Sequence, residues 1–205
     1  TRMPAKYAAS ARKTINKQVY EVLCKNPVIY DGTALFSTMH KNVLAAGTGI
    51  TREALQSMML TLQTQIDQFG EAIVINPAKL VIPVGYAMDV YTILYSPTVS
   101  TSGNTQATNP LYKYKEMLEV IEDPTINALC GGFGNVMPWF LVGAESDTDG
   151  IEVDYLDGKE IPNIRRMEVA GQLGFVWDIY LDWGISVMDY RGFVKNPGVE
   201  MASPL

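Results

Sequence analysis

The chain opens with an amphipathic pattern. Between Pro4 and Leu23, apolar residues recur at spacings of three and four, while basic and amide side chains occupy the other faces. The apolar positions are Ala8, Ala11, Ile15, Val19 and Val22. Asn26-Pro27 ends the pattern, because a residue that precedes proline is pushed out of the helical region. We therefore predict a helix over residues 4–23, then a turn and an irregular connection over residues 30–44.

Two further helices are predicted. The second runs from Thr51, a plausible N-cap, to Gly70, a residue type that commonly ends helices. Its apolar stripe comprises Leu55, Met58, Met59, Leu62, Ile66 and Phe69. The third is predicted to start at Pro83, because proline fits the first helical position. Ala87, Tyr91 and Leu94 form its expected buried face.

Strand patterns occur mainly in the second half of the chain, after two short runs in the first half. Short apolar runs predict strands at residues 73–75, 80–82, 117–121 and 139–142, with Pro124 and Pro138 as boundaries. Ile151, Val153 and Tyr155 alternate with acidic residues, which predicts a half-buried strand that ends at Asp157-Gly158. The longest alternation runs from Phe175 to Val187 and predicts an extended ribbon or a strand bent at Gly184.

A polar stretch, Ser96 to Asn109, separates the helical part from the β-rich part and predicts a long solvated loop. The order of elements, helices first and strands later, favours the α+β class over alternating βαβ units.

Composition narrows the functional classes. The chain has 205 residues, of which 47% are hydrophobic and 19% charged, as in a globular protein. Its net charge of −6 argues against broad binding to nucleic acid. Cys24 and Cys130 do not make a disulfide framework and are expected to be two buried thiols in a reducing compartment. No apolar run approaches the length that crosses a bilayer. The chain begins at Thr1 inside a helical pattern, so we expect a fragment of a longer protein.

Three segments contain residue types that could support chemistry. His40 is the single histidine, and Ser37 precedes it by three residues, but no oxyanion motif accompanies them. Gly131-Gly132-Phe133-Gly134 lacks the lysine of a phosphate-binding loop and predicts a loop between strands that needs positive φ values. Glu152, Asp154 and Asp157 do not have the spacing of a calcium loop. The sequence thus predicts no catalytic residue, no cofactor-binding residue and no metal ligand, and it favours an assembly protein.

Several short segments form a recognisable series along the chain. The segment 26–32, Asn-Pro-Val-Ile-Tyr-Asp-Gly, is followed by Ala34-Leu35-Phe36 and His40-Lys41-Asn42. The later segments of the series are 80–83, 118–124, 139–142, 151–158 and 189–196. In this order the segments resemble the Mu-like prophage major head subunits and related tailed-phage major capsid proteins. The family often has a histidine where this chain has Ser37, which weakens any function that needs paired histidines.

The resemblance implies the Hong Kong 97 capsid fold. By this analogy, residues 1–49 and 161–205 form a peripheral domain, which contains the spine helix and the late β-ribbon. Residues 50–160 form an axial domain around a central sheet. In that fold an N-terminal arm and an extended loop precede the spine helix, so both are expected upstream of Thr1.

The implied function is that of a major capsid subunit, which is not an enzyme and needs no cofactor. The implied partners are further copies of the chain in hexamers and pentamers, a scaffold or prohead protease encoded nearby, and packaged DNA that is not bound specifically. No membrane partner is expected. The implied location is the virion capsid, assembled in the cytoplasm of a bacterial host.

Two alternatives stay open. A tail or decoration protein would also lack chemistry, and a β-sandwich or barrel would favour it. A hydrolase centred on His40 would need a carboxylate or nucleophile at hydrogen-bond distance within a concave pocket.

Overall fold

A computed structural model describes residues 3–168, 170–171 and 173–203. Its α-helices are α1 (Met3–Lys25), α2 (Arg52–Gln63), α3 (Ala87–Tyr95) and α4 (Pro124–Leu129). Two 3₁₀ helices span Pro110–Glu116 and Leu156–Gly158. The strands are β1 (Pro77–Ile82), β2 (Thr98–Thr101), β3 (Asn104–Thr108), β4 (Glu119–Glu122), β5 (Val136–Gly143), β6 (Ile151–Tyr155), β7 (Asn163–Met167), β8 (Val176–Tyr180), β9 (Trp183–Val187) and β10 (Phe193–Glu200). This mixture of helices and mainly antiparallel sheets confirms the predicted α+β class.

A four-stranded sheet forms the centre of the molecule. Its strand order is β10-β5-β1-β4, and only the β1–β4 pair is parallel. Strand β5 lies inside the sheet and is buried on both faces, which explains its almost continuous apolar sequence. The predicted boundary at Pro138 is wrong, because β5 continues through it. The strand tolerates proline there because a register shift between Asn196 and Val199 of β10 interrupts the ladder opposite.

The two faces of this sheet contribute to two hydrophobic cores. Leu80, Trp139 and Leu141 point to one side, where they pack against α2 and α3. Val81, Phe140 and Phe193 point to the other side, where they pack against α1 and α4. Successive side chains of a strand alternate between faces, so one sheet serves both cores.

Helix α1 follows its predicted pattern and extends two residues further. Ile15, Tyr20 and Leu23 are its buried side chains. Asn26, at a φ of 53°, stops the helix, and its amide N–H still bonds to the carbonyl of Val22.

Helix α2 is shorter than predicted. Thr51 caps its start by accepting a hydrogen bond from the amide of Ala54, but the helix ends at Gln63 instead of Gly70. Asp67 builds a separate turn, since its carboxylate accepts hydrogen bonds from the amides of Phe69 and Glu71. Ile66 and Phe69 therefore leave the apolar stripe, and Phe69 is 80% exposed.

The third helix and two strands also differ from prediction. Helix α3 starts at Ala87, after a turn at Pro83–Gly85, and buries Val90 and Leu94 while Tyr91 is exposed. The run 73–75 forms no strand; it is an extended segment. Strand β4 begins at Glu119, so Met117 lies outside it.

The polar stretch 96–109 is a β-hairpin rather than an irregular loop. Strands β2 and β3 pair with each other, and Val99 lies opposite Ala107. Asn109, at its end, is buried and anchors the hairpin to the fold.

The alternating segment 175–187 is divided into two strands that belong to different sheets. The division falls at Leu181 and Asp182, not at Gly184. Strand β8 pairs with β7, whereas β9 pairs with β6. A change of partner strand explains the break, which the uninterrupted alternation of the sequence concealed.

Candidate functional site

The loop that follows α1 is fixed by the side chain of one residue. The Asn26 side chain donates to the carbonyl of Phe36 at 2.9 Å and accepts from its amide at 2.6 Å. Leu35 and Phe36 are thereby drawn into the core that α1 and the sheet share. Asp31 caps the tight turn by accepting from the amide of Thr33 at 2.9 Å. These bonds position the segment that carries His40.

His40 is buried, and each of its ring nitrogens faces an acceptor. Nε2 lies 2.6 Å from Oδ2 of Asp31, and Nδ1 lies 3.0 Å from the carbonyl oxygen of Leu35. Tyr190 stacks on the ring, with 3.8 Å between centroids. Both ring nitrogens are therefore engaged within the fold.

The hydrogen bond from His40 holds the pKa of the Asp31 carboxyl below its usual range, and the amide of Thr33 adds to the effect. Both donors favour the ionised carboxylate. The arrangement is therefore a charge-assisted link between the 26–36 loop and His40.

Ser37 does not form a nucleophile–base pair with His40. Its Oγ accepts a hydrogen bond from the backbone amide of His40 at 3.1 Å, while both ring nitrogens contact other groups. A serine activated by histidine needs a free imidazole nitrogen directed at its hydroxyl. The geometry instead joins Ser37, His40 and Asn42 in one hydrogen-bonded turn.

The glycine-rich segment 131–134 forms turns held by backbone groups. Gly131, Gly132 and Gly134 have positive φ values, and the amide of Gly134 donates to the carbonyl of Met201 at 2.7 Å. The segment follows α4 and precedes β5, so its predicted position between two strands is wrong, whereas the predicted need for positive φ is confirmed.

The acidic candidates lie on an exposed strand face. Glu152 and Asp154 point outward from β6, and Asp157 lies in the 3₁₀ turn that follows. In the described ranges no group of three or more His, Cys, Asp or Glu side chains could hold a metal ion.

A cleft between α1 and the central sheet has a volume of about 280 Å³, and its lining includes Tyr20, Val81 and Phe193 but no histidine or cysteine.

The two cysteines are free thiols that lie next to each other, a proximity that the sequence did not predict. Cys24 of α1 and Cys130, just after α4, are free and hydrogen-bonded to each other. Burial, reinforced by Cys130, raises the pKa of the Cys24 thiol to about 12. Lys195 of β10 is close to both, and burial lowers the pKa of its ammonium group.

Sequence reasoning missed three buried asparagines that fix the loops. Asn42 bonds to the carbonyls of Leu35 and Tyr190. Asn109 bonds to the carbonyls of Ile93 and Ser96, and Asn196 to Thr48 and Gly198. Asn109 and Asn196 each precede a proline, which was a turn signal in the sequence. Nothing in the sequence marked Asn42 as buried.

The hairpin of β7 and β8 presents large apolar side chains to solvent. They are Ile164, Met167, Phe175, Val176 and Tyr180, each between 37% and 51% exposed. Among the described strands, β7 and β8 are hydrogen-bonded only to each other. An exposed apolar surface of this kind is typical of a binding face.

No helix in the described part of the chain is both long and apolar enough to cross a membrane.

Solved structures of two other proteins are similar in fold to this chain. The capsid of Myoviridae phage XM1 matches with a TM-score of 0.52 and 13% identity, covering 97% of this chain and 66% of that chain. The holo-SrpI encapsulin complex from Synechococcus elongatus PCC 7942 matches with a TM-score of 0.51 and 11% identity, covering 93% of this chain and 64% of that one. This chain thus spans slightly less than two thirds of either protein. At such low identity these likenesses concern the fold alone.

No curated protein sequence matches the chain. The family model described as "Phage capsid protein" matches residues 1–196, nearly the whole length. Because that match covers far more than half of the sequence, the chain belongs to the phage capsid protein family.

Proposed function

We propose that this chain is the major capsid subunit that builds a phage head, assembling with further copies of itself into a closed icosahedral shell around DNA. The observation that carries the proposal is the family match over residues 1–196. The fold shared with the XM1 capsid supports it. The expected location is the virion capsid, after assembly in the cytoplasm of a bacterial host.

Assembly depends on contacts between copies of the chain. Each copy offers the same surface patches, and weak contacts repeated in hexamers and pentamers become a stable container when the lattice closes. The net charge of −6 suits a wall that encloses DNA without binding it specifically. A scaffold or prohead protease encoded nearby is the expected assembly partner, and no membrane takes part.

The peripheral and axial division stays a prediction, with residues 1–49 and 161–205 peripheral and residues 50–160 axial. In support, α1 and the paired strands β7–β8 lie in the first set, and α2, α3, β1 and β5 lie in the second. Strand β10, from the peripheral range, pairs with β5 of the axial range and would join the two units. The Mu-like grouping and the Hong Kong 97 details belong to the same proposal.

We also propose that the chain is not an enzyme and that His40 has a structural role. Both ring nitrogens of His40 face acceptors within the fold, and Ser37 bonds to the backbone of His40. If a hydrolase were present instead, purified protein would turn over ester or peptide substrates and His40→Ala would abolish that turnover.

Electron microscopy tests the main proposal. The complete gene product that contains this chain would be expressed with its neighbouring genes and imaged in negative stain. We expect closed, round particles of uniform size. Tubes would indicate a tail protein, and monomers that bind only to preformed shells would indicate a decoration protein; either result would contradict the proposal.

A further inference from the structure

We propose that Cys24 and Cys130 form a reversible modification site, where hydrogen peroxide oxidises the two free thiols to a disulfide that fastens α1 to the end of α4. Both thiols belong to one copy of the chain, so the chemistry does not depend on the proposed function. It places a covalent bond where the reduced protein has a hydrogen bond between thiols.

Contacts between α1 and α4 bring the two sulfur atoms to the same place. The side-chain amide of Asn16 donates to the carboxylate of Asp123 at 3.3 Å, and the hydroxyl of Tyr20 is hydrogen-bonded to the same aspartate, which caps the start of α4. Cys24 follows Tyr20 by four residues and so lies one turn further along the same face of α1. Cys130 is the residue that ends α4. The two helices therefore run side by side in the same direction, with the thiols at their ends.

The surroundings of the two thiols favour reaction between them. Both side chains are half-buried against the core that α1, α4 and the central sheet share. Lys195 of β10 reaches the same place, with its ammonium group 5.4 Å from the ring of Phe36 and 5.8 Å from that of Phe140. Its positive charge favours the thiolate of Cys24. Since the thiolate is the form that attacks peroxides and oxidised sulfur, this cation promotes formation of the disulfide.

Position determines which thiol meets the oxidant first. Cys130 is followed by the largely exposed turn 131–134, whereas Cys24 lies within a helix beside the buried side chain of Leu23. Burial, reinforced by Cys130, also raises the pKa of the Cys24 thiol to about 12 and keeps it protonated. We therefore expect peroxide to oxidise Cys130 first and Cys24 to complete the bond.

Two steps give the disulfide, with water as the other product. The Cys130 thiolate attacks one oxygen of hydrogen peroxide, the O–O bond breaks, hydroxide leaves, and the sulfur becomes a sulfenic acid. This conversion removes the charge on Cys130 that opposes ionisation of Cys24. The Cys24 thiolate then attacks the oxidised sulfur, the S–O bond breaks and a second hydroxide leaves. The two protons from the thiols convert both hydroxides to water, and the two electrons that the sulfurs lose reduce the peroxide.

The disulfide would make the attachment of α1 depend on redox conditions. A bond between residues 24 and 130 closes a long loop, and the stabilising effect of a disulfide grows with the length of the loop that it closes. In the reducing cytoplasm of a host cell the thiols stay reduced, so the bond forms only after exposure to oxidising surroundings. Only this timing rests on the proposed function.

Peptide mapping of the complete gene product without reductant tests the inference. The purified protein is treated with hydrogen peroxide, unfolded in urea with iodoacetamide to block remaining thiols, digested, and analysed by mass spectrometry. We expect a pair of peptides joined through Cys24 and Cys130, which dithiothreitol separates. We expect the melting temperature of the oxidised protein to lie about 5 °C or more above that of the same sample after dithiothreitol.

Cys24→Ala is the matched control, because its methionines and its Cys130 meet the same oxidant. Peroxide should leave Cys130 of this variant as a sulfenic acid, which dimedone labels, and dithiothreitol should not change its melting temperature. Three results would each overturn the inference. They are wild-type protein whose two cysteines stay unlinked after peroxide, disulfides that join mainly different copies, and linked protein that melts no higher than the reduced form.

Discussion

At the scale of single residues, buried polar groups determine how the loops are held. His40, Asn42, Gln65, Asn109 and Asn196 are the buried polar side chains of the described residues. Each has hydrogen-bond partners, so none carries the penalty of an unsatisfied buried group. The hydrogen bonds of the first two, together with Asp31, fasten the loop after α1 to the turn before β10.

The Asp31–His40 link should make stability depend on pH in the acid range. The pKa of Asp31 is lowered in the folded state from its usual 3.8, so its stabilising contribution is present above that value and is lost as pH falls through the folded pKa. Asp31→Asn removes the charge at nearly constant shape. We expect the wild type to be more stable than this variant at about pH 5 and the difference to shrink below about pH 4.

Urea unfolding of both proteins across this range measures the effect. Asp149→Asn is the matched control for the loss of one carboxylate, because Asp149 is exposed and forms no ion pair in the described chain. A difference between wild type and Asp31→Asn that stays constant down to about pH 2 would contradict the assignment.

Cys24 should resist alkylation in the folded protein. Burial and the neighbouring Cys130 raise its pKa from 9.0 to about 12, so the reactive thiolate is much less abundant at neutral pH than that of an ordinary cysteine. Iodoacetamide labelling followed by mass spectrometry should show slow modification of Cys24 in the native state and rapid modification in urea. Rapid native labelling would mean that α1 opens readily.

The raised pKa of Cys24 also predicts that the stability of the protein declines as pH rises above 9, toward the pKa of this thiol in the folded state.

At the scale of elements, local bonds and partner strands determine where each element ends. Apolar periodicity located α1 and the start of α2, but it could not locate the end of α2, because Asp67 builds its own turn and directs Phe69 into solvent. Similarly, the alternation from Phe175 to Val187 indicated β-structure, while the change of partner between β8 and β9 decided that there are two strands. Sequence periodicity reports which face is apolar, not which strand lies alongside.

The β2–β3 hairpin should contribute little to stability, whereas its anchor should contribute more. Replacing residues 99–107 by Asn-Gly keeps the Thr98–Thr108 pair and closes it with a favoured two-residue turn. Val99 and Ala107 are half-buried, and the other side chains of the replaced segment whose burial the structure describes are exposed, so we expect the melting temperature to change by about 2 °C or less.

Asn109→Ala is the informative comparison, since it removes hydrogen bonds to the carbonyls of Ile93 and Ser96 and should cost about 2 kcal/mol. Thermal unfolding of both variants distinguishes the hairpin from its anchor. Particle yield of the complete protein with the shortened hairpin would reveal any role in assembly. A large loss of stability on shortening would show that the hairpin packs into the fold.

At the scale of the whole molecule, one sheet with two buried faces organises the chain. Distant backbone segments also approach one another closely against this sheet. Gly198 of β10 has a φ of 78° and abuts the carbonyl of Met137 in β5, while Gly47 abuts the carbonyl of Gly198. In the same region, the indole N–H of Trp139 donates a hydrogen bond to the backbone carbonyl of Thr48 at 3.1 Å. Three segments far apart in the sequence meet where no side chain fits.

Gly198→Ala should consequently destabilise the protein strongly. The added Cβ would overlap the Met137 carbonyl and would also impose an unfavourable positive φ, for a total cost of about 3 kcal/mol or more. Gly70→Ala is the matched control, because its φ is 85° but the space around it is open, and it should cost only about 1 kcal/mol. Chemical unfolding measures the loss of stability in both variants. Equal losses would mean that the close approach at Gly198 does not contribute to its effect.

The sequence by itself determined the α+β class, the amphipathic face of α1, the cap at Thr51, the β-structure of residues 151–155 and the turn at residues 131–134. These features depend on local backbone preferences and on the period of apolar residues, which a single segment carries on its own. The resemblance of several collinear segments to phage capsid proteins pointed to the family that the match over residues 1–196 then established.

Only the tertiary structure decided the rest. Four features depend on which distant segments lie side by side. They are the contact between Cys24 and Cys130, the burial of Asn42, the division of residues 175–187 into two strands, and the lack of pairing between β7–β8 and the other described strands. Such proximity comes from packing two cores on opposite faces of one sheet, and no local pattern records it.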